Sequence, residues 1–325
     1  MRKNPLLFIH IPKTAGTSFR IGTEKFLGKK NVLNDYSVNA AETSALVNEY
    51  IYEKKDFFGF WNKITHKNAL DALVGNDFVF LGGHVQVMKY VHLFGARQTI
   101  SFLRDPVQRV VSQHRHFVRH KGFKGDLPSF YRAPSESNRQ AKQLNGIPLE
   151  SLGFIGLTER YVEGLKVFNQ RYGFNVAYVA ENLGRDDKNK NYDLPEEMIE
   201  EILQLNDKDV LLHQKACVLF SERMRISTMK MPYVHGAILN ASNKSVSGWA
   251  WYEHNEKAVA LDVLVNGQLI AHIMSHDLAT GLLRINPPRQ GYVGFHYSFS
   301  APLKADSNVQ IRVPETEQII GQATV

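Results

Sequence analysis

The strongest constraint on the fold is an apolar run, Leu6 to Ile11, that leads directly into Pro12-Lys13-Thr14-Ala15-Gly16-Thr17-Ser18. The run is typical of a buried strand, and the polar segment lies where a helix should begin. A helix start presents unpaired backbone N–H groups and the positive end of the helix dipole, which together bind phosphate. Gly16 lets the backbone approach an anion closely, Lys13 adds a mobile charge, and hydroxyl donors come from Thr14, Thr17 and Ser18. The sequence therefore predicts an anion-binding loop at the edge of a sheet.

A second strand-to-helix junction follows at residues 99–112. Thr99 to Leu103 predicts another buried strand, and Arg104 closes it. Asp105-Pro106 is a typical helix start, with Asp as the N-cap and Pro at the first helical position. Arg104 can bind a phosphate through its planar guanidinium, and Ser112 lies two turns into the following helix.

A third candidate, His84, lies between these two junctions. Phe78 to Leu81 predicts a strand, and Gly82-Gly83 would allow a sharp exit that projects His84 from the carboxyl end of the sheet. Ligands bind at that end in open α/β folds, and an imidazole has a pKa suited to a general base at neutral pH. A histidine at such a place can also be a structural residue tied to a backbone carbonyl.

The first motif does not fit the Walker phosphate loop, G-x-x-x-x-G-K-[ST], because it holds one Gly and its Lys precedes that Gly. It resembles instead the 5′-phosphosulfate loop of sulfotransferases that use 3′-phosphoadenosine 5′-phosphosulfate (PAPS), most closely the heparan and uronyl 2-O-sulfotransferase branch. The second motif, Leu-Arg-Asp-Pro-x-x-Arg-x-x-Ser at residues 103–112, is similar to the 3′-phosphate motif of the same family. The resemblance covers residues 6–225.

The resemblance implies a role for each motif. Lys13 and the backbone of Thr14, Ala15, Gly16, Thr17 and Ser18 would hold the 5′-phosphosulfate, and Arg104 and Ser112 would bind the 3′-phosphate. His84, in a Gly-His-Val segment, would be the general base. In the family a Gly-x-Thr-Glu-Arg segment helps to enclose the nucleoside, which here implies Arg160 as a cofactor contact. The co-substrate would be PAPS, and the reaction would need no metal.

The pattern of the first 232 residues predicts a P-loop-like, three-layer α/β/α domain with a mostly parallel sheet. Apolar strands alternate with helical stretches up to this point, which is typical of a sheet covered on both faces. We expect strands at 6–11, 78–81, 99–103 and 175–180, and helices at 17–27, 40–54, 106–121, 158–171 and, in two parts, 195–224. Residues 122–150, rich in Gly, Pro, Ser and Asn, are expected to form a long active-site loop.

Residues 235–325 are predicted to form a second domain, a small antiparallel β-sandwich, because the period changes from 3.6 to 2 after Pro232. Asn266-Gly267, between two alternating segments, predicts a type I′ hairpin turn. Trp249 and Trp251 share one face of a predicted strand, so at least one should be buried. Either a structural module or an exposed aromatic platform for sugar would fit this pattern.

The formal net charge of +7 suits an enzyme that binds a polyanionic nucleotide. The cations are dispersed, and the sequence lacks zinc-ligand spacing and nucleic-acid recognition motifs, so we expect no nucleic-acid partner. No apolar run approaches the ~20 residues of a membrane span, and the one cysteine, Cys217, suits a reducing compartment. These features favour a cytoplasmic enzyme.

The sequence thus predicts a PAPS-dependent sulfotransferase that transfers a sulfuryl group to an acceptor hydroxyl, with a carbohydrate as the favoured acceptor. A glycolipid, a small metabolite or a protein tyrosine would also be compatible. Two other functions stay open: a non-catalytic glycan-binding protein that acts through the β-sandwich, and a P-loop kinase.

Overall fold

The computed structural model describes residues 5–38, 40–65, 80–178 and 192–325. The chain forms two compact units. The first comprises Met1–Tyr90, Gln98–Leu149 and Phe154–Phe220, and the second comprises Val91–Arg97, Glu150–Gly153 and Ser221–Val325. The second unit therefore includes two short segments from the earlier part of the chain. The division into domains at 1–232 and 235–325 stays a prediction.

A five-stranded parallel sheet forms the centre of the first unit. Its strands are β1 (Leu6–Ile9), β2 (Val32–Asp35), β3 (Phe80–Gly83), β4 (Thr99–Leu103) and β5 (Phe154–Leu157). They lie in the order β2-β3-β1-β4-β5. The chain adds strands first on one side of β1 and then on the other, and ligands of open α/β sheets bind at such a reversal, beyond the carboxyl ends of the strands. This confirms the predicted α/β class and the parallel sheet.

Helices flank the sheet and join its strands. In chain order they are α1 (Gly16–Leu27), α2 (Ala45–Val47), α3 (Phe57–Thr65), α4 (Val91–Phe94), α5 (Pro106–His120), α6 (Leu127–Tyr131), α7 (Arg139–Gln143), α8 (Tyr161–Tyr172), α9 (Glu196–Leu205) and α10 (Asp207–Thr228). A π-helix at Asn48–Glu53 continues α2. None of the helices in the described part of the chain combines the length and the apolarity that a membrane span needs.

Aromatic side chains fill the space between the sheet and its helices. Phe8 on β1, Phe19 on α1 and Phe102 on β4 are fully buried, and the ring of Phe19 lies 4.9 Å from the rings of both Phe8 and Phe102. Phe168 on α8 closes the same cluster, with its ring 4.9 Å from that of Phe19. Gly156 on β5 is required here, because a Cβ at this position would lie 2.3 Å from the Phe102 ring.

Most of the predicted elements are present, but three predictions are wrong in part. Residues 122–150 are not one long loop, because they contain α6 and α7. Residues 175–178 form no strand, and the rest of that predicted strand lies outside the described residues, as do Phe78 and Val79. The helical period of residues 195–224 also predicts a buried stripe that includes Leu211, Ala216 and Phe220. Leu211 is 66% exposed, whereas Ala216 and Phe220 are buried.

The second unit holds two antiparallel four-stranded sheets. One has the order β10-β11-β7-β6 and the other β13-β12-β8-β9. The strands are β6 (Val234–Ala241), β7 (Ser245–Tyr252), β8 (Ala260–Val265), β9 (Gln268–Met274), β10 (Asp277–Leu278), β11 (Tyr292–Ser298), β12 (Asn308–Val313) and β13 (Gln318–Thr324). One hydrophobic core draws residues from both sheets, among them Val246, Ala250 and Phe295 from the first and Val263 and Ile311 from the second. This arrangement is the predicted β-sandwich.

Trp249 and Trp251 are both fully buried, but they lie outside the sandwich core. Val246, Ala250 and Tyr252 of β7 belong to that core, so by strand alternation the two tryptophans face the other side of the sheet. Their rings stack 4.3 Å apart, and the ring of His235 lies 6.0 Å from that of Trp251. Because neither indole is exposed, this pair cannot form the sugar platform that the sequence left open.

The β8–β9 turn provides a test of the hairpin. Asn266 and Gly267 have φ angles of 50° and 80°, as a type I′ turn requires. A Cβ at Gly267 or at Gly281 would meet nothing within 4 Å, but only Gly267 has a positive φ. Gly267→Ala should therefore lower the free energy of unfolding by about 1 kcal/mol through backbone strain alone.

The matched control is Gly281→Ala, which should be neutral or slightly stabilising because it reduces the entropy of the unfolded chain. Urea titrations of both variants and the parent protein measure the difference. Equal stability of the two variants would contradict the assigned turn.

Candidate functional site

The loop between β1 and α1, which the sequence predicts to bind an anion, has a strained backbone. Lys13 and Ala15 have φ angles of 68° and 66°, a strained left-handed conformation for residues with a side chain, and such strain is often found at ligand-binding sites. Helix α1 begins at Gly16 without a side-chain cap, and the amide of Phe19 donates to Ala15 O at 3.1 Å. The backbone N–H groups of the residues before Phe19 therefore lie ahead of this first hydrogen bond of the helix, and they point towards the helix N-terminus.

Thr14 has a different role from the one the sequence suggested. Its side chain is fully buried, and its hydroxyl donates to Ile11 O at 2.9 Å. This bond closes the loop on itself, so the hydroxyl of Thr14 supports the loop. Thr17 and Ser18 lie half-buried in the first turn of α1.

Gly16 is required by a close contact with His10. A Cβ at this position would lie 2.1 Å from Cδ2 and 2.4 Å from Nε2 of the His10 ring, while the φ of Gly16 needs no glycine. The His10 side chain is almost fully buried, and its Nδ1 is hydrogen-bonded to the hydroxyl of Tyr36 at 2.8 Å. Burial, with the nearby His84 as a smaller cause, holds the pKa of His10 well below its usual value, so this ring is neutral.

Arg104 lies at the end of β4 and reaches the loop. Arg104 Nη1 donates to Lys13 O at 3.2 Å, and Arg104 as a whole is only 8% exposed. The pKa of Lys13 is lowered by burial and next by the charge of Arg104. The structure therefore holds two cations close to each other beside the start of α1, and an anion bound between them would relieve their repulsion.

Several side chains form hydrogen bonds with the backbone of the turn that contains Arg104. Gln140 accepts from Arg104 N and donates to Arg104 O, both at 2.9 Å. Thr158 donates its hydroxyl to Leu103 O at 3.0 Å, and Glu159 accepts from Asp105 N at 2.9 Å. The predicted N-cap is present, since the Asp105 carboxylate accepts from Gln108 N at 2.9 Å. These contacts fix the direction in which the Arg104 side chain leaves the sheet.

The remaining residues of the predicted motifs, Arg160, Arg109 and Ser112, lie in different surroundings from Arg104. Arg160 forms a two-pronged ion pair with Glu163, at 3.0 and 2.6 Å, which raises its pKa. Arg109 is fully buried and donates to Glu136 O at 2.7 Å, so it belongs to the interior. Ser112 lies half-buried on α5. The roles of Ser112 and Arg160 as cofactor ligands stay predictions.

His84 follows β3 directly, at the carboxyl edge of the sheet beside β1. Its Nδ1 lies 2.6 Å from His10 O, and a carbonyl oxygen can only accept, so Nδ1 carries the proton of that bond. In the neutral ring the lone pair is then on Nε2. The His84 ring also contacts His10 and Tyr36, at centroid distances of 4.4 and 4.7 Å.

The electrostatic surroundings keep His84 neutral. His84 as a whole residue is exposed to solvent, but the protein atoms around its ring remove part of the hydration, and this desolvation lowers its pKa. The bond to His10 O opposes the shift, while the charges of Arg139 and Arg20 add to it. A neutral imidazole with a fixed tautomer can accept a proton at Nε2.

The two glycines before His84 serve a purpose other than the sharp exit expected from the sequence. Both lie within β3, and neither has a positive φ. A Cβ at Gly83 would lie 1.9 Å from Asp35 O of the neighbouring strand β2, and one at Gly82 would lie 3.3 Å from the Phe8 ring on the other neighbour, β1. The glycines therefore let β3 pack closely against its neighbours.

Asp35 organises a buried ion-pair network that sequence reasoning missed. Its carboxylate, fully buried at the end of β2, accepts from Lys89 Nζ at 2.6 Å, from Tyr90 OH at 2.6 Å and from Tyr52 OH at 2.7 Å. These hydrogen bonds outweigh the effect of burial and lower the pKa of Asp35. The network ties the segment after His84 to β2. Its members are far apart in the sequence, so no local pattern indicates it.

No arrangement of three or more His, Cys, Asp or Glu side chains that could hold a metal ion occurs among the described residues. Of the predicted site residues, the structure brings the Lys13 loop, Arg104 and His84 to one edge of the sheet, with His10, Tyr36, Gln140 and Glu159 as neighbours that the sequence did not assign to the site.

Comparison with known proteins adds little to this geometry. No protein-family model matches the chain, and no curated protein matches it. Among solved structures, a sulfotransferase from Alicyclobacillus acidocaldarius aligns with 70% of this chain and 96% of its own, at 13% identity and a TM-score of 0.32. A likeness this weak assigns neither fold nor function.

The Asp35 network provides a test of the site's support. Lys89→Met leaves the buried carboxylate without its cation and should lower the free energy of unfolding at neutral pH by about 3 kcal/mol. The matched control is Lys54→Met, which removes the cation of the exposed Lys54–Glu49 pair and should cost less than about 1 kcal/mol.

The effect should depend on pH in a defined direction. The folded-state pKa of Asp35 is lowered, so the network contributes stability above the unfolded-state pKa and loses it as the pH falls through the folded-state pKa. The difference between Lys89→Met and the parent protein should shrink on acidification. Urea titrations at several pH values measure it, and a constant difference would contradict the role of the carboxylate.

Proposed function

We propose that the chain is a sulfotransferase that transfers a sulfuryl group from PAPS to an acceptor hydroxyl, with a carbohydrate as the acceptor. The observation that carries this proposal is the meeting of three groups at one edge of the sheet. Each group follows one of three adjacent strands. The strained loop of Lys13 follows β1, Arg104 follows β4 and donates to that loop, and the neutral ring of His84 follows β3.

The loop and Arg104 are suited to a ligand with two anionic groups. In the proposed complex the N-terminus of α1 and Lys13 bind the 5′-phosphosulfate, and Arg104, together with Ser112 on α5, binds the 3′-phosphate. Donors fixed in advance stabilise charge that grows on the leaving phosphate, and this effect usually contributes most to catalysis of this kind. The strained φ angles of Lys13 and Ala15 support a loop that is shaped before the ligand arrives.

His84 is the proposed general base. As the acceptor oxygen bonds to sulfur, the bond from sulfur to the bridging oxygen of PAPS breaks, and its electron pair stays on the 5′-phosphate. The acceptor proton passes to Nε2 of His84, which is the unprotonated nitrogen when Nδ1 donates to His10 O. Arg139 and Arg20 disfavour protonation of the free ring, so His84 is ready to accept this proton at neutral pH.

The 3′-phosphate site is tested by binding. Titration calorimetry should give tighter binding of 3′-phosphoadenosine 5′-phosphate (PAP) than of AMP, because only PAP carries the group that Arg104 would bind. Arg104→Ala should weaken PAP binding by about 2–5 kcal/mol, the cost of breaking a buried charge pair. AMP binding should change much less. Arg284→Ala, which removes an exposed cation of the second unit, is the control. Equal affinities for PAP and AMP in the parent protein would overturn the proposal.

His84 is tested by turnover on a panel of acceptors, followed as PAP release from PAPS. His84→Ala should lose most turnover and keep its affinity for PAP, since the phosphate ligands lie elsewhere. In the parent protein kcat/KM for PAPS, which reports the free protein, should fall as the pH drops below 6.5, because burial lowers the pKa of His84 there from that value and the base must be neutral.

Two further variants distinguish the general-base role of His84 from phosphate binding and from the effect of removing any histidine. Lys13→Ala should reduce kcat by about 10²–10³-fold, the scale for one transition-state donor, without moving the acidic limb of the pH profile. His276→Ala, at an exposed histidine of the second unit, should leave the profile unchanged. Near-normal turnover in His84→Ala would mean that another residue is the base.

A further inference from the structure

Gln140 on α7 makes an unusual pair of hydrogen bonds. Its side-chain amide is fully buried, and both ends of the amide bind the backbone of one residue, Arg104. Oε1 accepts from Arg104 N and Nε2 donates to Arg104 O, each at 2.9 Å. Arg104 lies just beyond β4, so its backbone groups are not part of the ladder between β4 and β5. The amide of Gln140 replaces the neighbouring strand at this point, and it satisfies two buried polar groups that would otherwise be costly.

Gln140 is itself held in place by the first turn of α10. The carboxylate of Asp209, fully buried, accepts from Gln140 N at 3.2 Å and from Ala141 N at 2.7 Å. Asn138, just before α7, donates its backbone N–H to Asn206 Oδ1 at 2.9 Å and accepts from the amides of Lys208 and Asp209. These bonds attach α7 to the start of α10, so the position of Gln140 does not depend on a free loop.

We infer that Gln140 is a positioning residue for the 3′-phosphate site: it holds the backbone of Arg104 so that the guanidinium is oriented for the phosphate before the ligand binds. This inference rests on the proposed function. Gln140 does not contact the ligand in this scheme and acts only through Arg104. A site that must reorganise to bind loses affinity, so releasing this backbone should weaken the binding of PAP selectively.

The test is Gln140→Met, which keeps the approximate volume and removes both hydrogen bonds. Titration calorimetry should show PAP affinity reduced by about tenfold or more, as expected when buried backbone groups lose their partners and the turn relaxes. AMP affinity should change less than twofold. Gln113→Met is the matched control, because Gln113 is also buried but its Oε1 has no hydrogen-bond partner among the described residues. It should leave both affinities unchanged.

A double variant distinguishes positioning from a general loss of structure. On an Arg104→Ala background, Gln140→Met should cause no further loss of PAP affinity, because the residue through which it acts has been removed. Additive losses would overturn the inference. So would an unchanged PAP affinity in Gln140→Met.

If Gln140→Met does not fold, Gln140→Asn replaces it. The amide stays neutral but is one methylene shorter, so it cannot reach both Arg104 N and Arg104 O, and PAP affinity should fall while AMP affinity is kept. An unchanged PAP affinity in this variant would overturn the inference equally. If the parent protein binds PAP no better than AMP, the proposed function fails. If it prefers PAP and the Gln140 variants keep that preference, only the present inference fails.

Discussion

The candidate site depends on the hydrogen bonding of one backbone turn, where β4 ends at Leu103 and α5 begins after Asp105. A strand that ends inside a protein leaves polar backbone groups without a neighbouring strand, and burying them without partners is costly. Here Thr158, Glu159 and Gln140 supply the partners. Because these side chains come from two separate parts of the chain, the segment after β5 and helix α7, the turn joins both parts to the residue that reaches the loop of Lys13.

At the same edge of the sheet, packing fixes the tautomer of His84, the proposed base, without a carboxylate partner. The backbone carbonyl of His10 sets the tautomer of His84, while the His10 side chain is buried, neutral and in contact with it. Gly16 makes room for the His10 ring, so the start of α1 and the position of His84 depend on one contact. The proposed anion-binding loop and the proposed base therefore share one structural support.

The sequence predicted well those elements that are specified by neighbouring residues, such as an apolar run or a helix cap. The buried strand Leu6–Ile9 is an apolar run, and the Asp105-Pro106 helix start satisfies its own backbone. The interpretation of residues 122–150 as a loop was wrong for a corresponding reason. Helix α7 is short, and the side chains that hold it, Asn206 and Asp209, lie more than sixty residues further along the chain. Trp249 shows the same limit, because strand alternation predicts a shared face but not what covers it.

The sequence by itself determined three of the five strands of the parallel sheet, β1, β3 and β4, together with the two strand-to-helix junctions and the change to a β-sandwich, because these follow from hydrophobic period, turn residues and helix caps. It did not indicate the strands β2 and β5 or the short helices α6 and α7. Only the tertiary structure decided which polar groups meet. It made Thr14 a loop support, paired Arg160 with Glu163, placed Gly83 against Asp35 and brought Gln140 to Arg104. The physical reason is that a buried polar group takes whichever partner the packed chain brings within hydrogen-bond distance, and that partner can lie anywhere in the sequence.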